Sequence, residues 1–140
     1  MGITQHVGID ISKRSLAVCR LSEGEKPERK TFKTDPEGML RLAAWIQKDD
    51  LVALEAGNLA FYIARRLTPV CAKVFVLNPG QLFQITQSMK KTDKEDALIL
   101  ARFIQRTPAA ELPIVGRRGR GSQREKKEVG GLRGNWKGRV

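Results

Sequence analysis

The sequence predicts an α/β protein: a mixed sheet with helices on both faces, followed by a disordered basic tail. Three observations carry that expectation. Two apolar runs, 6–11 and 16–21, stand four residues apart, the spacing of an antiparallel hairpin. Residues 51–54, Leu-Val-Ala-Leu, are wholly apolar, as suits a central strand covered on both sides. Helical periodicity and strand-like runs then alternate, and parallel strands need such helical crossovers.

Taken in order, Val7, Ile9 and Ile11 are β-branched, the shape that fits a pleated strand, and they enclose one carboxylate, Asp10. An unpaired charge is costly inside a buried strand; the plainer reading is a strand-end Asp bonded to the turn at Ser12 or Lys13. A polar break at 22–28 leads to 29–34, where lysines mark an exposed edge strand. Asp35 and Pro36 open a helix as N-cap and first helical residue, with Met39, Leu42, Ala43 and Ile46 on its buried face. Glu55 ends the central strand. Gly57-Asn58 turns into a helix striped by Ala60, Ile63, Ala64 and Leu67, which Thr68-Pro69 stops, and 72–77 is the next strand. Asn78-Pro79 opens a segment with Leu82, Ile85 and Met89 on one side. Thr92 and Glu95 have capping-box spacing, which starts the last helix at Asp93 and carries it to about Gln105. The folded domain is expected over 1–112.

Composition narrows the classes. No apolar run reaches the roughly 18 residues that span a bilayer, and no signal-peptide core is present. Cys19 and Cys71 sit in apolar runs without metal or disulfide spacing, as in a reducing, cytoplasmic setting. His6 is the one histidine, Ser12, Ser15, Ser88 and Ser122 offer no plausible triad with it, and a strand-edge structural role is expected for it. The net charge of +11 is uneven: residues 1–115 carry +4 and residues 116–140 carry +7, along with 7 of the 13 glycines. That last stretch shows no period of 2 or 3.6. It is expected to be disordered and to bind nucleic acid through counterion release.

Four acids stand out by position: Asp10, Glu55, Asp93 and Asp96. Asp10 lies inside the first strand and Glu55 ends the central strand, and in open α/β sheets the functional crevice lies at the carboxyl ends of parallel strands. On a helix starting at Asp93, at about 100° per residue, Asp93 and Asp96 share the apolar sector of Ala97, Leu100 and Ile104, while Lys94, Glu95, Arg102 and Gln105 face away. The helix macrodipole accounts for acids in a first turn but not for their inward placement. Converging carboxylates repel unless cations neutralise them. Mg²⁺ or Mn²⁺ suits oxygen ligands, and two such ions about 4 Å apart serve phosphodiester chemistry. Lys13, Arg14, Lys90, Lys91 and Lys94 flank the acids as candidate phosphate contacts.

Together, Val7-Gly8-Ile9-Asp10-Ile11-Ser12-Lys13, Ala53-Leu54-Glu55-Ala56, Val76-Leu77-Asn78-Pro79 and Lys91-Thr92-Asp93-Lys94-Glu95-Asp96-Ala97 resemble the DEDD transposases of bacterial insertion sequences, relatives of the Piv-type DNA invertases. The resemblance covers about residues 5–112. It implies a ribonuclease H-like fold, close to the Holliday-junction resolvases, with Asp10, Glu55, Asp93 and Asp96 as catalytic ligands of divalent metal. It also implies DNA as partner, a guide non-coding RNA in some members, homo-oligomeric assembly in the full-length family, and a second domain carrying a serine nucleophile. Here Gly116-Arg117-Arg118-Gly119 stands where that family has a helical region, so a truncated or frameshifted reading frame, without independent transposition, is expected.

Three other readings compete. Gly8-Ile9-Asp10 resembles the first phosphate loop of actin-like sugar kinases, but 140 residues do not hold the two domains those need. A non-catalytic, basic nucleic-acid-binding module would survive loss of the acids. A stand-alone junction-resolving nuclease would need them.

Overall fold

The computed structural model describes residues 4–116, and the glycine- and arginine-rich stretch expected to form a disordered tail lies, from residue 117 on, outside the described residues. The chain runs β1 (Gln5–Ile11), β2 (Ser15–Ser22), β3 (Glu28–Lys33), α1 (Pro36–Trp45), β4 (Asp50–Glu55), α2 (Ala60–Leu67), β5 (Lys73–Leu77), α3 (Pro79–Thr86) and α4 (Asp96–Arg106), with short 3₁₀ turns after α2, α3 and α4. The strands lie in the order β3-β2-β1-β4-β5. β2 is antiparallel to both β1 and β3, whereas β4 is parallel to β1 and to β5. This mixed sheet is the ribonuclease H-like arrangement.

Strand alternation sorts the core into two layers. Val7, Ile9, Val52 and Leu54 point to one face, where Met39 and Leu42 of α1 and Ile63 and Leu67 of α2 cover them. Ala53, Phe75 and Leu77 point to the other, against Leu100, Phe103 and Ile104 of α4. Asp35 caps α1, its carboxylate accepting from the Gly38 N–H at 2.7 Å, and Asn78 caps α3 by accepting from the Gln81 N–H at 3.1 Å. β3 is the exposed edge strand, with only Phe32 buried.

Three sequence expectations change. The folded unit does not stop at residue 112. Asn78 N–H donates to the Pro113 carbonyl at 2.7 Å, Val115 N–H donates to the Val76 carbonyl at 2.9 Å, and Ile114 bridges Leu77, so this short segment covers the outer edge of β5. Ile85 is exposed, and Thr86 takes the inward position beside Leu82, its hydroxyl donating to the Leu82 carbonyl at 2.9 Å. The capping box at Thr92 and Glu95 does not form. Thr92 Oγ1 donates to the Met89 carbonyl instead, the Glu95 carboxylate pairs with Arg29 at 2.7 Å, and α4 begins at Asp96 rather than Asp93.

The end of the sheet where the parallel strands begin is closed by a buried ion pair that the sequence pattern hides. Arg20 Nε and an Nη donate to the two Asp50 carboxylate oxygens at 3.1 and 2.7 Å, and the guanidinium lies 3.7 Å from the centroid of the Trp45 ring. Gln47 N–H and Gln5 Nε2 each donate to Asp50 at 2.8 Å, and Arg20 also donates to the Trp45 carbonyl and to Glu28. The spacing of Asp49 and Asp50 suggests no more than a helix end.

Candidate active site

Alternation also decides where the first two acids point. Gly8 and Ala53 face α4, so Asp10 and Glu55, two residues further along, point the same way. Ile9 pairs with Leu54, which leaves Asp10 and Glu55 side by side just past the last paired residues of β1 and β4.

Gly8 brings in the third acid. A Cβ there would collide with the Ala97 carbonyl oxygen and lie 2.7 Å from the Ala101 nitrogen, both backbone atoms of α4. The missing side chain therefore lets the helix press directly onto β1, and Asp96, its first residue, arrives beside Asp10. A glycine inside a β-branched strand is the sequence signal for such a close approach.

Asp10, Glu55 and Asp96 line one open cavity of about 560 Å³, together with Lys13, Lys90 and Phe83. Asp10 is half-buried, whereas Glu55 and Asp96 stand exposed at the rim. Among the described residues these three carboxylates accept no hydrogen bond and form no ion pair. Burial, and then the charge of Asp96, pushes the Asp10 carboxyl above its ordinary value; burial, then Asp10 and Asp96, does the same for Glu55, with Lys90 partly opposing. No group of three or more acidic, histidine or cysteine side chains among the described residues stands ready-made around a single point. The three carboxylates thus share a cavity without closing into a cage.

The other expected site residues fall elsewhere. Asp93 precedes α4 instead of lying on its inward stripe, does not line the cavity, and pairs with Arg102 at 3.3 Å. That contact is electrostatic only, since Arg102 Nε makes no aligned hydrogen bond. Of the five basic candidates, Lys13 and Lys90 line the cavity. Arg14, Lys91 and Lys94 are exposed outside it, and the Arg14 carbonyl accepts from the Thr34 N–H. Sequence periodicity overlooks Phe83, which is exposed and lines the cavity. His6 is half-buried with Nδ1 lacking a hydrogen-bond partner, and burial pulls its pKa down.

The raised carboxyls have a consequence for stability. Asp10 and Glu55 bind protons more tightly in the folded chain than in the unfolded one, so they penalise folding once ionised. That penalty is absent below their ordinary values of 3.8 and 4.5 and develops as pH rises through the raised folded values. Without metal, Asp10→Asn should therefore gain stability relative to the unsubstituted chain as pH rises from about 4 to about 7. Urea titrations across that range check it, and a constant difference would show that Asp10 is not crowded.

A ribonuclease H-like sheet with acids gathered at the carboxyl ends of its central strands describes a class of proteins, and the comparisons with known proteins narrow it. The model of the IS110 DEDD transposase family, described as a transposase, matches residues 7–115, and the chain belongs to that family. It is similar to the pilin gene-inverting proteins of Moraxella bovis and Moraxella lacunata, each 28% identical over 108 residues, covering 70% of this chain and 33% of the relative. The chain thus spans about a third of the length of the curated relatives it matches. No helix among the described residues is long and apolar enough to cross a membrane.

Proposed function

We propose that this chain forms the metal-dependent nuclease portion of a DNA recombinase, with Asp10, Glu55 and Asp96 holding Mg²⁺ or Mn²⁺ for DNA strand cleavage and transfer. The observation that carries the reading is the crowding of three carboxylates, without hydrogen-bond donors among the described residues, in one cavity at the strand ends. Such a donor set fits a hard divalent cation, which binds oxygen and keeps waters of its own, so a closed cage is not needed. Family membership and the gene-inverting relatives support DNA as the substrate.

When bound, the metal neutralises charge on the scissile phosphate and makes an attacking hydroxyl more acidic. The chain's own residues do the rest. Asp10, fixed by β1, sets the base of the site, and Glu55 from β4 and Asp96 from α4 close it at the rim. Lys13 and Lys90 at the rim meet phosphate oxygens and offset the negative cavity. Asp93, bound to Arg102, plays no direct part in this arrangement; the DEDD pattern assigns it as the fourth ligand, and its variant tests that assignment. Strand transfer by a whole recombinase calls on the further domain and the multimeric assembly that the family resemblance implies.

Thermal melts with and without Mn²⁺ test the proposal. A ligand bound only by the native state raises the midpoint by mass action. The unsubstituted chain should melt several degrees higher in Mn²⁺, by an amount that grows with pH as the raised carboxyls ionise. Asp10→Asn should lose that gain and Arg14→Ala should keep it. Asp93→Asn should keep most of it if three acids suffice. Equal shifts for the unsubstituted chain and Asp10→Asn would sink the metal site and favour binding through basic charge alone.

A further inference from the structure

Among the described residues lining the acidic cavity, Phe83 is the one large apolar side chain that stands exposed. It is 53% exposed, while its neighbours Leu82 and Thr86 supply the contacts that hold α3 to the sheet. The ammonium of Lys90 lies 5.3 Å from the centroid of its ring, and the same charge acts on Glu55 across the cavity. An exposed aromatic ring with a cation over one of its faces, leaving the other for a ligand to stack on, and the three carboxylates therefore line one cavity of about 560 Å³, within the size range of ordinary small-ligand sites.

We propose that Phe83 is a stacking platform for an unpaired nucleobase, with Lys90 meeting the phosphate attached to it, so that the site takes DNA locally opened next to the scissile bond. This rests on the metal-nuclease reading of the same cavity and goes beyond it by specifying the form of the substrate. The chemistry follows from the components. Every base has a π-face, so stacking on an aromatic side chain tolerates any sequence. In an intact duplex both faces of a base are already covered, so a ring on a cavity wall stacks on a base only where the stack has been opened. A protein segment laid over Phe83 fits less well, because the cavity that the ring lines also carries three carboxylates and two lysines.

The test uses the full 140-residue chain and two fluorescent DNA probes of the same sequence, one an intact duplex and the other carrying a short unpaired stretch with 2-aminopurine. The quantity read is the ratio of the two affinities, in which non-specific attraction to basic residues cancels. The unsubstituted chain should prefer the opened probe and quench the 2-aminopurine. Phe83→Ala should reduce the preference by about 5- to 100-fold, the span that one stacked base supplies. Phe83→Tyr should restore it and Phe83→Leu should not. An unchanged ratio in Phe83→Ala overturns the proposal, and so does a sedimentation change showing that the ring joins two copies of the chain. The Mn²⁺-dependent melt of the unsubstituted chain is measured beside it. A normal shift with an unchanged ratio defeats the stacking platform alone; no shift with a ring-dependent ratio defeats the nuclease reading and leaves the platform standing.

Discussion

Asp50→Ala should destabilise the domain by about 3–5 kcal/mol, a large part of the 5–15 kcal/mol typical of a single domain. Asp50 is fully buried and Arg20 only 2% exposed, so the substitution strands a guanidinium against the Trp45 ring of α1 with no counter-charge at depth. Glu28, at the surface, offers Arg20 only a weakly effective partner. Two further donors, Gln47 N–H and Gln5 Nε2, would lose their acceptor. Removing both charges with Arg20→Met and Asp50→Leu should recover part of the loss, because breaking a buried pair costs more than replacing it with apolar groups. Recovery stays incomplete because the Gln47 N–H is still without that acceptor, whereas Gln5 Nε2 keeps Gln47 Oε1. Urea denaturation of the two variants gives both numbers, and an Asp50→Ala unfolding free energy within about 1 kcal/mol of the unsubstituted chain would show that the pair is solvated in solution. The pair lies at the opposite end of the sheet from the carboxylates, so a folded double variant should keep its Mn²⁺ response.

Gly8→Ala should damage fold and site together. The added methyl meets backbone atoms of Ala97 and Ala101, which cannot rotate away as a flexible side chain would. α4 must lift from β1, at a cost on the order of 1–3 kcal/mol or more. Asp96 is the first residue of that helix, so the lift also draws it away from Asp10, and the Mn²⁺-dependent rise in melting temperature should shrink or vanish even under conditions where the variant is fully folded. Gly57→Ala is the control: a Cβ there meets nothing within 4 Å, although Gly57 also lines the cavity. Melts with and without Mn²⁺ on both variants decide the matter. A Gly8→Ala chain with a full metal response would mean that Asp96 is placed by something other than the close approach of α4 to β1.

Much of the fold was legible because it is specified locally. Asp35-Pro36 and Asn78-Pro79 predict helix starts, and both caps form through hydrogen bonds spanning three residues. The apolar periods of α1 and α2 match their buried faces, and the lysines of 29–34 mark the exposed edge strand. For the site, the strand-end positions of Asp10 and Glu55 follow from the β-branched and apolar runs that precede them. Their common face then follows from strand alternation once the parallel register of β1 and β4 is known.

Sequence by itself determined the order of elements, the central place of β4, the acid at its end and the acid within β1. Tertiary structure alone decided where α4 begins, and with it the fate of Asp93. A local capping box at Thr92 and Glu95 competes there with ion pairs to distant residues. Glu95 takes Arg29, 66 residues away, and Asp93 takes Arg102, so the helix starts three residues late and one of the four expected acids stays outside the cavity. The Arg20–Asp50 pair was hidden for the same reason, its partners lying 30 residues apart on strands separated by β1. Periodicity and capping report interactions within a few residues along the chain. A charge facing another element is placed by whichever partner the packed sheet brings near it, and that is fixed only once the strands have found their register.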